Sequence, residues 1–392
     1  MRLEVPPLGL YIHLPWCVRK CPYCDFNSHP KAEVLPEQSY VAALLRDLEQ
    51  ELEQVDGRRI ESLFFGGGTP SLFSPDAIHR LIEGFRQRIS CAGDLEVTLE
   101  ANPGAVEQGR FEGFKQAGVN RLSIGIQSFH SGHLKTLGRI HSAGEAVAAA
   151  EAAHRAGIQN FNLDLMYGLP DQSLADAIED LRRAIVLNPA HISYYQLTIE
   201  PHTLFSKYPP VLPCEETIWA IQSEGQSMLA AQGYAQYEIS AYARTGARCR
   251  HNLNYWNFGD YLGIGAGAHG KVTIAAQNTL FRSWKIAHPR EYMESAATTG
   301  NIGQRVEIRG RDRILEFLMN GLRLNSGFEK TAFIARTGLQ LFELEPMLSE
   351  CIQEALLVES ETHIRCTERG RNFLDTILTR FVPEEMEILA RD

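Results

Sequence analysis

Cysteine is sparse and poorly placed for cross-linking. The chain has eight in 392 residues, and Cys91, Cys214, Cys249, Cys351 and Cys366 are scattered singly. That is no disulfide framework, and it suits a reducing compartment. No apolar run approaches the ~20 residues needed to span a bilayer, and the N-terminus lacks the charged-then-apolar pattern of a secretory signal. The expected location is therefore the cytoplasm. Positive charge is in deficit: 38 Lys+Arg against 48 Asp+Glu leave a net charge of −10, which argues against nucleic acid as a partner. There is no repeat of fixed period and no low-complexity segment. The hydrophobic content of 44% and charged content of 22% are those of a globular protein, long enough for a large domain plus a smaller one.

From residue 8 to about 240, short apolar β-type runs alternate with longer amphipathic stretches. The strand candidates are 8–14, 62–67, 95–101, 121–127, 160–168 and 191–198, with helices expected over 36–55, 75–89, 142–156 and 173–187. Ser74 and Ser173 stand where N-caps belong, and Pro75 suits a first helical position. This alternation predicts parallel βα units, too few for a closed eight-fold barrel, so an open or partial βα barrel is the expected fold. Polar and glycine residues gather just after the strands: GGGTP (Gly66–Pro70), Glu100, Gln127 and Asp164. The active face of a βα barrel lies at those C-terminal strand ends. A single Asp or Asn there is often only a helix cap; several in register point to a site.

The remaining three cysteines fall within PWCVRKCPYCDF, spaced Cys17-x3-Cys21-x2-Cys24. Short-spaced thiolates hold zinc or iron–sulfur clusters. A structural zinc site wants a fourth ligand, and no second CxxC or HxxxH follows. A redox dithiol would use two cysteines and leave the third unexplained. Three thiolates on a [4Fe–4S] cluster leave one iron open to a small chelating molecule.

The CxxxCxxC spacing directly after the first strand, with Tyr23 before the last cysteine, resembles the radical S-adenosylmethionine (SAM) family. The resemblance implies that Cys17, Cys21 and Cys24 hold [4Fe–4S], that the open iron takes the methionine end of SAM, and that Gly66, Gly67, Gly68 and Thr69 bring backbone against its amine. LYIHLPWC, GGGTPS, LEANPG, RLSIGIQSF, LGRIH and NLDLMYGLP match, in order, the branch containing oxygen-independent coproporphyrinogen III oxidase. By that likeness SAM would also meet Tyr11, Tyr23, Glu100, Gln127, Arg139 and Asp164.

Two departures weigh against oxidase activity. The oxidases carry a fourth cysteine two residues after the third, where this chain has Phe26, and they begin with an N-terminal extension for which no room is expected before the strand at residue 8. HNLNYW (His251–Trp256) instead resembles the haem chaperones of the same branch, which bind haem and pass it to apo-haemoproteins. On that likeness His251 would help hold haem, and no residue is assigned a catalytic role. The alternatives are an oxidase, another radical SAM enzyme acting on a porphyrin-like substrate, or a binding module with a structural cluster. Acceptors at the membrane surface and a homodimer are compatible with this reading.

Gly265-Ala-Gly267-Ala-His-Gly270 satisfies GxGxxG but lacks a convincing strand before and helix after, so dinucleotide binding is not expected. Residues 1–300 are expected to form the radical SAM part (core 1–240, haem-associated segment 241–300). Residues 301–392 are expected to form a mainly helical, winged-helix-like domain. Over 311–392 ten Lys+Arg face fifteen Asp+Glu, which suits a lid or partner surface rather than DNA.

Overall fold

The computed structural model describes residues 2–31, 33–55, 57–104, 108–298 and 303–383. Its main sheet has twelve strands, numbered here along the chain: β1 Leu8–Leu14, β2 Ile60–Gly67, β3 Cys91–Ala101, β4 Arg121–Gln127, β5 Phe161–Tyr167, β6 His191–Gln196, β7 Ala235–Glu238, β8 Ala241–Ala243, β9 Asp260–Ile264, β10 His269–Ile274, β11 Thr279–Lys285 and β12 Gly303–Ile308. The spatial order is β12-β11-β10-β9-β1-β2-β3-β4-β5-β6-β8-β7. Strands β9 and β1 to β6 run parallel, and antiparallel hairpins extend both flanks, so the sheet stays open. β1 is buried along nearly its whole length, because helices cover the outer face of a parallel sheet while side chains fill the inner one.

The expected caps are present. Ser74 Oγ accepts from Ala77 N at 3.2 Å ahead of the helix Pro75–Arg86, and Glu37 takes hydrogen bonds from both Ser74 N and Ser74 Oγ. Ser173 with Asp176 forms a capping box at Leu174–Val186, as Ser142 with Glu145 does at Ala143–Arg155. Each satisfies amide groups the helix leaves free, worth about 1 kcal/mol per cap. The helix Pro75–Arg86 buries Ile78, Leu81, Ile82 and Phe85 in the main core, where each large apolar side chain contributes roughly 1.5–3 kcal/mol.

The described part of the expected haem-associated segment, 241–298, holds the strands β8 to β11 and the helices Arg250–Trp256 and Pro289–Ala297. Its strand β9 pairs in parallel with β1, Leu8 opposite Asp260 and Ile12 opposite Ile264. Five residues give too short a pattern to register alone, and their partner lies at the other end of the chain. Asp260 ties β9 to β10 and to Arg58. Its fully buried carboxylate accepts from Arg58 Nη1 and Lys271 Nζ, both at 2.8 Å, and from Thr273 N and Oγ1 at 2.9 Å. The GxGxxG loop follows a strand but leads into strand β10, not a helix. It therefore has no helix N-terminus to receive a pyrophosphate.

The C-terminal part has its own apolar core around Phe317, Phe328, Phe333 and Leu348. Helices Asp312–Gly321, Lys330–Thr337 and Met347–Gln353 pack with a three-stranded sheet of Phe328–Glu329, His363–Cys366 and Leu357–Glu359. The strand Phe328–Glu329 pairs antiparallel with His363–Cys366 and leads directly into the helix Lys330–Thr337. Two short helices follow, Glu368–Asn372 and Leu374–Thr379, parted where Phe373 leaves helical angles (φ −121°, ψ 36°). The expected boundary at 300/301 lies outside the described residues.

Candidate functional site

A cavity of about 320 Å³ opens at the C-terminal ends of β1 to β6. Cys17, Cys21, Cys24, Tyr23, Gly67, Gly68, Thr69, Glu100, Gln127, Arg139 and Asp164 all line it. Residues more than a hundred positions apart meet because adjacent parallel strands end at the same level. The cysteine loop leaves β1 and is tied down on several sides. His29 N donates to Pro15 O at 2.7 Å, Lys31 N to Cys17 O at 2.8 Å, and Phe205 N to Pro22 O at 3.0 Å. Asn27 Nδ2 donates to the carbonyls of Ala266 (2.9 Å) and Ala287 (2.8 Å), joining the loop to the turn after β9.

The glycine turn after β2 is packed too closely for side chains. A Cβ on Gly67, which has φ +109°, would come 2.5 Å from the His13 ring. A Cβ on Gly68 would come 2.6 Å from the Trp16 carbonyl, just before Cys17. Thr69 Oγ1 points at Cys17 Sγ (3.5 Å) and accepts from Asn102 Nδ2 (2.9 Å). Asn102 Oδ1 in turn accepts from Arg139 Nη2 at 2.7 Å, while Arg139 Nη1 lies 3.9 Å from Cys21 Sγ. Gln127 ends β4 with φ +69°, and its amide oxygen accepts from Tyr195 OH at 2.7 Å.

Burial dominates the electrostatics. It pushes the Glu100 carboxyl up to about 8, helped by Asp164 and opposed by a hydrogen bond from Gly67 N. Burial also raises Asp164, against hydrogen bonds from Asn162 and Ser123. The Cys17 and Cys24 thiols are raised by burial as well, so metal loading there displaces protons. Arg139 is held firmly cationic: burial opposes its charge, and Tyr23 and Cys21 outweigh burial.

Because the folded Glu100 holds its proton more tightly than the unfolded chain does, it favours folding below pH ~4.3, and that contribution is lost as pH rises through about 8. Glu100→Gln should therefore gain melting temperature relative to the parent at pH 8, with little gain near pH 4. Thermal unfolding of the ligand-free proteins at both pH values measures this, and an equal gain at both would contradict it.

Three of the expected residues are not in the cavity. Gly66 is buried behind the turn, where its missing Cβ lets the Tyr11 ring pack (Cε2 at 3.0 Å from the Cβ position). Tyr11 lies beneath the cavity floor, its hydroxyl 3.1 Å from His13 Nδ1. His251 lies one layer lower still, fully buried, with Phe64 stacked on it at 5.1 Å. Both ring nitrogens are occupied: Nδ1 is 2.8 Å from Ser62 Oγ and Nε2 is 2.7 Å from Tyr255 OH. Burial, then Arg121, pulls its pKa down to about 3. In this structure both nitrogens of the neutral imidazole are thus engaged by protein groups, one floor below the cavity.

Asn102, Ser123, Ser193 and Tyr195 also line the cavity. Their signal was the two-residue alternation of strands, which puts Ser193 and Tyr195 on one face of β6 and Ser123 beside Gln127 on β4. Among the described residues, no three His, Cys, Asp or Glu side chains close around a single ion. Cys17, Cys21 and Cys24 share the lining of this one cavity.

Residues 11–184 match the Radical SAM superfamily and residues 308–373 the HemN C-terminal domain. The fold agrees: coproporphyrinogen III oxidase (HemN) from Escherichia coli superposes with a TM-score of 0.80 at 23% identity, over 97% of this chain and 91% of that one. Heme chaperone HemW from Escherichia coli (strain K12) is 50% identical over 97% of this chain and its own full length. Heme chaperone HemW from Haemophilus influenzae is 46% identical over the same shares. The chain belongs to the HemW family.

Proposed function

We propose that this protein binds haem and passes it to acceptor haemoproteins, carrying a [4Fe–4S] cluster and SAM in the cavity at the strand ends. The observation that supports this best is the gathering of Cys17, Cys21 and Cys24 with the glycine turn, Glu100, Gln127, Arg139 and Asp164 in one cavity, in a chain half identical to haem chaperones along its length. Cys17, Cys21 and Cys24 would hold the cluster, which supplies a one-electron redox centre there. Arg139 would pair with the SAM carboxylate. Glu100, Gln127 and Asp164 would meet its amine and ribose hydroxyls, and Gly67, Gly68, Thr69 and Tyr23 would wall the methionyl end. Tyr11, Gly66 and His251 would act from behind, holding these walls in place.

Residues 1–300 would carry the cofactors, with 1–240 as core and 241–300 the haem-associated segment, and residues 301–392 would form the second working part. The two matched families fall on either side of that division. No helix among the described residues is long and apolar enough to cross a membrane. We place the protein in the cytoplasm, where it would also meet acceptors at the membrane surface.

The test pairs two measurements on the reconstituted protein. Haem titration should saturate with a distinct absorption spectrum, and coproporphyrinogen III with SAM and reductant should give no protoporphyrinogen IX. Steady oxidase turnover with haem binding no better than a control protein's would make it an oxidase. A second prediction concerns the glycine turn. Gly67→Val, forced against the His13 ring, should weaken SAM binding by roughly tenfold or more, as overpacking of 1–3 kcal/mol implies. Iron and sulfide content should hold. Isothermal titration with SAM measures it, and unchanged affinity would remove Gly67 from the site.

A further inference from the structure

A second, larger cavity of about 600 Å³ lies at the opposite end of the sheet. It borders Pro7, just before β1, and Glu61 and Ser62 at the start of β2. The helix Arg250–Trp256 gives it Leu253 and Trp256, and the C-terminal part closes it with Phe328, Arg336 and His363. The length of β1 separates the two cavities, about 20 Å at ~3.3 Å per residue.

Three features of this cavity have no role so far. His363 Nδ1 is engaged by Thr362 Oγ1 at 2.9 Å, while Nε2 has no hydrogen-bond partner among the described residues. The Arg336 guanidinium forms no hydrogen bond or ion pair among the described residues. Burial lowers its pKa, with Asp260 and Glu4 opposing only at a distance. The indole of Trp256 is half-buried in the wall, and Arg323 covers it at 4.3 Å from the ring centroid. Carboxylates do not cancel the cation: Glu61 is paired with Arg59 at 2.7 Å, and Glu329 is exposed.

We propose that this cleft is the haem site, with His363 Nε2 as an axial ligand of the iron and Arg336 as the partner of a propionate. The proposal rests on the haem-chaperone reading above. Haem needs an apolar slot of several hundred cubic ångströms, an imidazole with one free nitrogen, and a cation for its carboxylates. Here Leu253, Trp256 and Phe328 supply apolar wall beside polar Asn254 and Asn257, while His363 Nε2 and Arg336 are the groups left without a partner among the described residues. It also gives HNLNYW a role that His251 does not fill. His251 locks the helix to Ser62 from inside, and the same helix presents Leu253 and Trp256 to the cleft. Haem there would lie far from the cysteine cavity, as cargo rather than as substrate of SAM chemistry.

The experiment titrates the full-length, cluster-loaded protein with hemin and with hemin dimethyl ester, following the Soret band. His363→Ala should shift the band and weaken hemin binding by roughly tenfold or more, and added imidazole should restore the parent spectrum. Arg336→Gln should weaken hemin binding by a similar factor yet leave the dimethyl ester, which lacks the carboxylates, unaffected. A parent that binds hemin, with both variants matching it in spectrum and affinity, would overturn this site and leave the chaperone reading intact. A parent that shows no saturable hemin binding would overturn both.

Discussion

Cys21→Ala should give a protein that folds but takes up no [4Fe–4S] cluster, with iron and acid-labile sulfide falling from about four each per chain to background. Cys17→Ala and Cys24→Ala should do the same. The reason is geometric: the three thiols line one cavity, and no other cysteine can substitute. Cys249, Cys351 and Cys366 are buried, and burial raises Cys249 to about 11 and Cys366 to about 12, which keeps them as thiols. Cys91 begins β3 and Cys214 is exposed ahead of a helix, and neither lines the cavity. Cys91→Ala should therefore load normally. Iron and sulfide analysis with visible absorption settles it, and a full cluster in Cys21→Ala would refute the ligand set.

The second large effect is on stability. Asp260→Ala should cost about 3–5 kcal/mol, the range for removing one partner of a buried ion pair. Lys271 is 2% exposed and would lose its counter-charge in the core, and Arg58 and Thr273 would each lose a partner as well. Burial opposes the charge on Asp260, but Lys271 and Arg58 outweigh it and hold the pKa below the ordinary value. The stabilisation is therefore present above pH ~3.9 and lost as pH falls through the depressed folded value. The gap between parent and variant in urea unfolding should be full at pH 7 and should shrink in acid below pH 4. A gap under 1 kcal/mol at pH 7 would show that Asp260 does not hold β9 to β10.

Strands β1 to β6 and their helices were legible because each is a local pattern with its own punctuation, such as Ser74-Pro75 or Ser173 with Asp176. Strand β9 was not, since its pairing with β1 is information held by neither segment alone. Most of the cavity could be placed from motifs, because a residue at the end of a parallel strand has little freedom in where it ends up. The burial of His251 was not legible for the opposite reason. HNLNYW marks a helix but not which of its faces turns inward, and that depends on Ser62 and Phe64, which are far away in sequence. His363 lies in a short alternating run that carries no motif, and only the closure of the C-terminal part against β1 and β2 makes it part of a cavity.

The placement of β9 beside β1 bears on how the protein is made. On the ribosome, β1 and the cysteine loop emerge first, yet one long edge of β1 stays unpaired until Ile264 has been synthesised, about 250 residues later. At 5–20 residues per second that is a wait on the order of ten to fifty seconds. Asn27, which fastens the loop, finds its acceptors only when Ala266 and Ala287 arrive. Until Ala287 is made, the cysteine loop has its ties within the loop and to Phe205, and lacks those to the far strands.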